Sequence, residues 1–328
     1  VRGVEPRNGE VQIWKGTAPA KVNLFLRILA REEGGFHQIE TLFQALDLAD
    51  PIAVEVSIGG GSETVALEVI GKPVGPLGPP ESNLVVRAAR QFLGAAKLED
   101  GIAVRIRLEK RIPIGGGLGG GSSDAATTLR ALDELLPGAV PRDRLVALAG
   151  TLGADVPFFL QGLPLALGWG RGDQLFPLPP LPSRPVLLLI PKPGISTPWA
   201  YAALADHRRD RGLGNAPARV LPAALSGLPG GGGEAEDRWA TVERLAENAF
   251  EAALAPHRPE LAKLKAALHE AGASCALLSG SGSTVFGAFR TDAEADRAEA
   301  LLAREYPSLR QIRTSTRSDP WGRIDGPA

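Results

Sequence analysis

The stretch PIGGGLGGGSSDAATTL occupies residues 113–129, with six glycines among positions 115–121. A run so rich in glycine loses conformational entropy on folding, and something must offset that loss. Glycine lets backbone N–H groups converge with no side chain between them. Directly after the run, Ala125, Leu129, Leu132 and Leu136 recur at helical spacing. Ser122 or Ser123 is placed to cap that helix, and Asp124 suits its positive end. Unpaired N–H groups at a helix start form an anion site matched to phosphate. A Walker A loop is excluded, because the run ends Gly121-Ser122-Ser123 with no lysine. Residues 115–120 fit a dinucleotide fingerprint, but so many glycines make that match cheap, and no acidic residue follows in the required context. A plain linker is the bland alternative, though linkers rarely lead straight into a capped amphipathic helix.

Around this centre the pattern is that of a mixed fold. Ile52, Val54, Val56 and Ile58 alternate with small or polar residues, as do Ile102, Val104, Ile106 and Leu108; both read as half-buried strands. Residues 82–96 and about 141–151 read as helices, 186–191 as a buried strand, and 226–234 as a glycine-rich loop. PELAKLKAALHEAG carries Pro259 at a helix start and Gly272 past its end. CALLSG and TVFGAF read as strands around GSGS, and Thr291 with Glu294 forms a capping box. The grouping of strands and helices in both halves predicts α+β architecture. The proline-dense 177–185 marks the expected boundary between domains 1–176 and 177–328.

The chain has 328 residues and a net charge of −1, which argues against nucleic acid or an acidic membrane surface as main partner. The single cysteine, Cys275, suits a cytoplasmic protein. The longest apolar run, about 186–190, is too short to span a bilayer, and residues 1–10 are polar, without the apolar core of a signal peptide. A soluble intracellular protein is expected.

Two further motifs flank the glycine run: APAKVNLFLRI (18–28) and LSGSGSTVFGAF (278–289). Together the three resemble, in order, the motifs of the GHMP kinases, a family named for galactokinase, homoserine kinase, mevalonate kinase and phosphomevalonate kinase. GGFHQIETLFQALDLAD (34–50), ESNLVVRAA (81–89) and LGADVPFFLQG (152–162) narrow the resemblance to a branch whose acceptor carries a cytidyl diphosphate and which serves non-mevalonate isoprenoid synthesis. The resemblance covers about 12–315. It implies a two-domain α+β kinase: an N-terminal half like domain 2 of ribosomal protein S5, a sheet-plus-helix C-terminal half, and a site between them.

The resemblance also implies roles. Pro113, Ile114, Gly115, Gly116, Gly117, Leu118, Gly119, Gly120, Gly121, Ser122 and Ser123 would bind ATP. Asp155 would be general base, with Lys21 its partner. A carboxylate beside a lysine suits proton removal and charge stabilisation in phosphoryl transfer. Asn23, two residues from Lys21 on an extended segment, would share its side and touch substrate. Phe36 would stack on cytosine and His37 bond to its edge. Tyr201 would supply the opposite stacking face, with Trp199 a rival, and Thr197 would meet the diphosphate. Gly280, Ser281 and Gly282 would form a tight turn beside the phosphates. ATP implies Mg2+, although no dedicated metal site is visible; Asp124, Ser122 and Ser123 are candidates for direct or water-mediated contact. The expected partner is a small-molecule cytidyl diphosphate. The rivals are a family member with another acceptor and a non-catalytic nucleotide-binding protein on the same fold.

Overall fold

Two long antiparallel strands set the frame: β1 (Val11–Arg31) and β2 (His37–Ser62). They are followed by β3 (Thr64–Ile70), α1 (Leu84–Ala96), β4 (Asp100–Glu109), α2 (Gly120–Leu135), α3 (Arg142–Leu152), α4 (Val156–Gln161), β5 (Leu165–Trp169) and β6 (Gln174–Pro177). The remainder comprises β7 (Pro185–Ile190), α5 (Thr197–Asp210), α6 (Ala235–Leu245), α7 (Phe250–Leu254), α8 (Pro259–Glu270), β8 (Cys275–Leu278), β9 (Val285–Ala288), α9 (Asp292–Glu305) and β10 (Arg310–Ser315). This computed structural model describes residues 11–32, 37–62, 64–71, 79–98, 100–214 and 235–321. The sequence expectations for residues 1–10, Phe36 and 226–234 lie outside the described residues.

Six strands make the first sheet, in the order β3-β4-β2-β5-β6 with β1 along β2. Residues 52–58 of β2 pair with β4, and residues 41–44 pair with β5. Only the β3–β4 pair is parallel. The apolar face packs under α1–α4 around Val54, Val104, Ile106, Phe92 and Leu129. Each such side chain fully removed from water contributes about 1.5–3 kcal/mol before cavity and entropy terms. The second sheet, β10-β7-β9-β8, is antiparallel. Every residue of β7 is buried, as its unbroken apolar run predicts. Helices α5, α7, α8 and α9 contribute to a core around Leu187, Leu189, Phe250, Leu268 and Phe289. A third cluster joins the sheets, with Leu24, Phe25 and Leu46 against Leu188, Leu277 and Phe286. Trp321 turns back into the first core, edge-on to Phe158 and Phe159.

Helix starts differ from the sequence reading in two places. Asn83 caps α1, its side chain accepting from the N–H of Val85. Helix α2 begins at Gly120 with Gly119 as its cap, and no side chain caps it. Ser122 and Ser123 therefore lie inside its first turn. A glycine at φ 71° turns the chain into the helix sooner than a serine cap would.

Candidate active site

Three segments that are distant in sequence meet along one cavity of about 1420 Å³. On β1, the pairing with β2 shifts register on either side of Lys21 and Asn23, a local irregularity that re-aims side chains. The Lys21 backbone N–H donates to the carbonyl of Leu118 at 2.9 Å, tying β1 to the glycine loop. The Lys21 side chain is only 4% exposed. Its ammonium donates to Asn23 Oδ1 at 2.8 Å and lies 3.5 Å from Asp155 Oδ2. The Asn23 amide donates to Thr41 Oγ1 at 2.7 Å, and that hydroxyl donates to the carbonyl of Phe25 at 2.8 Å. Each member of this relay holds the next, so the ammonium has little freedom to turn away. Asp155 occupies the cap position of α4 yet makes no capping bond. Its carboxylate faces Lys21 instead, with 29% of the side chain exposed.

The glycine loop lies against the turn between β8 and β9. Gly117 has φ 76°, and a Cβ there would stand 2.0 Å from the carbonyl oxygen of Ser279. Ser279 Oγ donates to the Gly117 carbonyl at 3.0 Å, and the Thr284 N–H donates to that of Gly116 at 3.3 Å. Gly280, at φ +55°, comes so close to Lys21 that a Cβ would lie 3.3 Å from Nζ. Asn248, which sequence reasoning missed, pins this turn. Its amide donates to the carbonyls of Leu278 (2.7 Å) and Gly280 (2.8 Å), while its Oδ1 accepts the Phe250 N–H. The only sequence signal is a polar residue in the short gap between α6 and α7.

At the far end, the rings of His37 and Tyr201 stack at 4.2 Å with 22° between planes, and Phe250 meets Tyr201 edge-on. Burial, then the charges of Arg31 and Arg208, hold the His37 imidazolium below the usual histidine range. Burial, then the charge of Asp155, push the Tyr201 phenol up to about 12. The hydroxyls of Thr197 and Ser281 share a hydrogen bond at 3.1 Å.

Lys21, Asn23, His37, residues 113–122, Asp155, Thr197, Tyr201, Gly280 and Ser281 all line the cavity. Ser123 does not: it is fully buried within α2, which starts earlier than expected. Gly282 does not either, because its Cα faces Leu278 and Ile195 behind the turn. Trp199, the rival stacking residue, meets His257 edge-on away from the cavity and is 41% exposed.

Beneath the loop lies a second unforeseen feature. Lys110 Nζ donates to Asp50 and, at 2.7 Å, to Asp124 Oδ2; all three side chains are buried. Burial, the dominant cause, together with the nearby Asp50 charge raises the Asp124 carboxyl above its ordinary range, against the pull of Lys110. Asp50 precedes a proline in a strand of mostly apolar residues, a place where a charge needs a partner. Among the described residues no three metal-ligating acidic, histidine or cysteine side chains cluster, and no helix is long and apolar enough to cross a membrane.

Comparison with known proteins bears on this geometry. Residues 83–163 match the family described as GHMP kinases N terminal domain, and residues 235–308 match GHMP kinases C terminal. The chain is 38% identical over 290 residues to the 4-diphosphocytidyl-2-C-methyl-D-erythritol kinase of Solibacter usitatus, covering 88% of this chain and 85% of that one. It is also 38% identical over 287 residues to the protein of the same name from Citrifermentans bemidjiense, covering 88% and 93%. A crystal structure of 4-(cytidine 5'-diphospho)-2C-methyl-D-erythritol kinase superposes with a TM-score of 0.69 at 37% identity, covering 92% of this chain and 98% of that one. L. major mevalonate kinase, at 14% identity and a TM-score of 0.66, covering 96% and 98%, shares the fold.

Proposed function

The chain belongs to the GHMP kinases, in the 4-diphosphocytidyl-2-C-methyl-D-erythritol kinase family, and on that premise we propose that it moves the γ-phosphate of ATP to the 2-hydroxyl of 4-diphosphocytidyl-2-C-methyl-D-erythritol. The observation that carries the catalytic part is the Lys21–Asp155 pair, 3.5 Å apart beside the glycine loop. In this reading Asp155 takes the proton of the acceptor hydroxyl as its oxygen attacks the γ-phosphorus. The bond from that phosphorus to the bridging oxygen breaks, and ADP leaves. Lys21 offsets negative charge on the attacking and transferring oxygens, and Asn23 holds Lys21 in place. Backbone N–H groups of the loop and of the first turn of α2 cradle the ATP phosphates. Tyr201 and His37, rather than Trp199, receive the cytosine; Thr197, Ser281 and Gly280 face the acceptor's phosphates. Phe36 keeps its proposed stacking role by resemblance alone.

Magnesium bound with ATP keeps most of its shell as water and phosphate oxygen, so it needs few protein ligands. Of the three candidates from sequence, Ser123 is buried, and Asp124 is held by an ammonium that repels a cation. Ser122, which lines the cavity, fits the ion, which would neutralise phosphate charge there. A cytoplasmic location accords with the free, buried thiol of Cys275. Asp155→Asn tests the base: kcat should fall roughly a hundred- to ten-thousand-fold while ATP binding persists. Turnover near that of the wild type would remove Asp155 from this role.

A further inference from the structure

The Asp50–Lys110–Asp124 cluster has no part in the transfer just described, yet it buries three ionisable groups. Asp50 sits on β2, Lys110 just beyond β4, and Asp124 near the start of α2. Asp50 Oδ1 accepts the backbone N–H groups of Arg111 (2.5 Å) and Ile112 (2.8 Å), where the chain enters the glycine loop. Lys110, also held by Asp50, reaches Asp124, where the chain has left the loop. Both ends of residues 113–119 are thus tied to one point. Apolar contact closes the same neck: a Cβ on Gly120 would lie 3.0 Å from Ile112 Cγ2 and 3.4 Å from Lys110 Nζ. Asp124 Oδ1 is buried with no hydrogen-bond partner among the described residues, so the carboxylate is held through Oδ2 alone. Buried ion clusters often add little net stability over apolar packing, and in some proteins they serve to fix one arrangement.

We propose that Asp50, Lys110 and Asp124 are positioning residues that close the neck of the glycine loop and hold its N–H groups in register for the ATP phosphates. The inference rests on reading that loop as the ATP site. Its mechanical logic is simple: a glycine-rich loop cannot hold its own shape, so a rigid anchor at both ends substitutes for side-chain constraints within it.

The test is titration of a fluorescent ATP analogue into the full chain, alongside acceptor kinetics and thermal melting. Asp124→Ala leaves Lys110 paired with Asp50, so the buried ammonium keeps one carboxylate. Analogue Kd should rise about tenfold or more, with acceptor KM within about twofold of wild type. Asp124→Asn should restore most of the loss, because its amide oxygen still accepts from Lys110. Asp124→Ser, too short to reach Lys110, carries the same expectation as alanine should the latter fail to fold. An unchanged Kd in Asp124→Ala, or equal losses for ATP and acceptor, overturns the proposal. So does an Asp124→Asn variant as weak as alanine, since that would assign the effect to charge and not to the tether. Wild-type protein that does not bind the analogue removes the ATP-loop reading and this proposal together, whereas wild-type binding with an unaffected Asp124→Ala removes the neck alone.

Discussion

His37 shows how much one residue's environment adds to its identity. In the sequence it is a histidine in a glycine turn. In the fold it lies flat on Tyr201, in register opposite Arg31 and near Arg208. Burial and those two positive charges depress its pKa, so the ring is neutral at neutral pH and presents both a donor and an acceptor to a base. Lowering the pH below the ordinary histidine value of about 6.5 and on through the depressed pKa adds a third positive charge there. The kcat/KM for the acceptor should therefore fall on the acid side, while Kd for ATP holds. His37→Asn should raise acceptor KM and shift that acid limb; an identical limb in the variant would remove His37 as its source. Lys21, Asn23 and Asp155 were named through the motif resemblance, supported for Lys21 and Asp155 by the cost of a charge beside apolar segments and for Asn23 by its spacing from Lys21; the fold brings the three together. Asn248, Asp50 and Lys110 were not legible. Their partners lie far along the chain, and nothing local reports a bond from residue 248 to residue 280.

Among the elements, periodicity located α1, α2 and the strands at 52–58 and 102–108, and terminal residues marked α8 and α9. Periodicity did not foresee that β1 and β2 run through 21 and 26 residues. The length of β2 is held by β1 on one edge and by β5 and then β4 along it, a tertiary matter. The glycine loop was read as an anion site and the resemblance set the β8–β9 turn near it, but which residues make the contact was not legible. Gly117 is where that closeness becomes a requirement, since its φ is 76° and Ser279 fills the space of any side chain. Gly117→Ala should cost on the order of 1–3 kcal/mol from backbone strain alone, and more from the clash. Urea unfolding should show a lower midpoint, and ATP affinity should fall with it. A variant of unchanged midpoint would contradict the close approach. Behind the site, Trp321 backs Phe158 and Phe159, two residues of the helix that follows Asp155. That places part of the support for the proposed base beyond residue 315, outside the stretch that the resemblance covers.

At the scale of the whole molecule, the three motifs converge because β1, the glycine loop and the β8–β9 turn pack edge to edge. Lys21 touches the loop through its backbone and the turn through its side chain. We keep the proposed division at 176/177, which falls before the last residue of β6 and ahead of the strand that opens the second sheet; folding of residues 1–176 alone is its test. The shared cluster of Leu24, Phe25, Leu188 and Phe286, and the return of Trp321 to the first core, predict that residues 1–176 alone fold but unfold at a lower urea concentration than the whole chain. Such a frame is common to kinases with different acceptors, as the mevalonate kinase superposition illustrates, so architecture alone does not choose the acceptor. In the proposed reading the choice rests on the aromatic end of the cavity, where His37 stacks on Tyr201. The most direct test is ADP release from ATP and magnesium with 4-diphosphocytidyl-2-C-methyl-D-erythritol, mevalonate, homoserine and galactose offered in turn. Turnover with the cytidyl acceptor alone, inhibited by CDP, is the predicted result. Turnover with one of the others in its place, indifferent to CDP, would contradict the account.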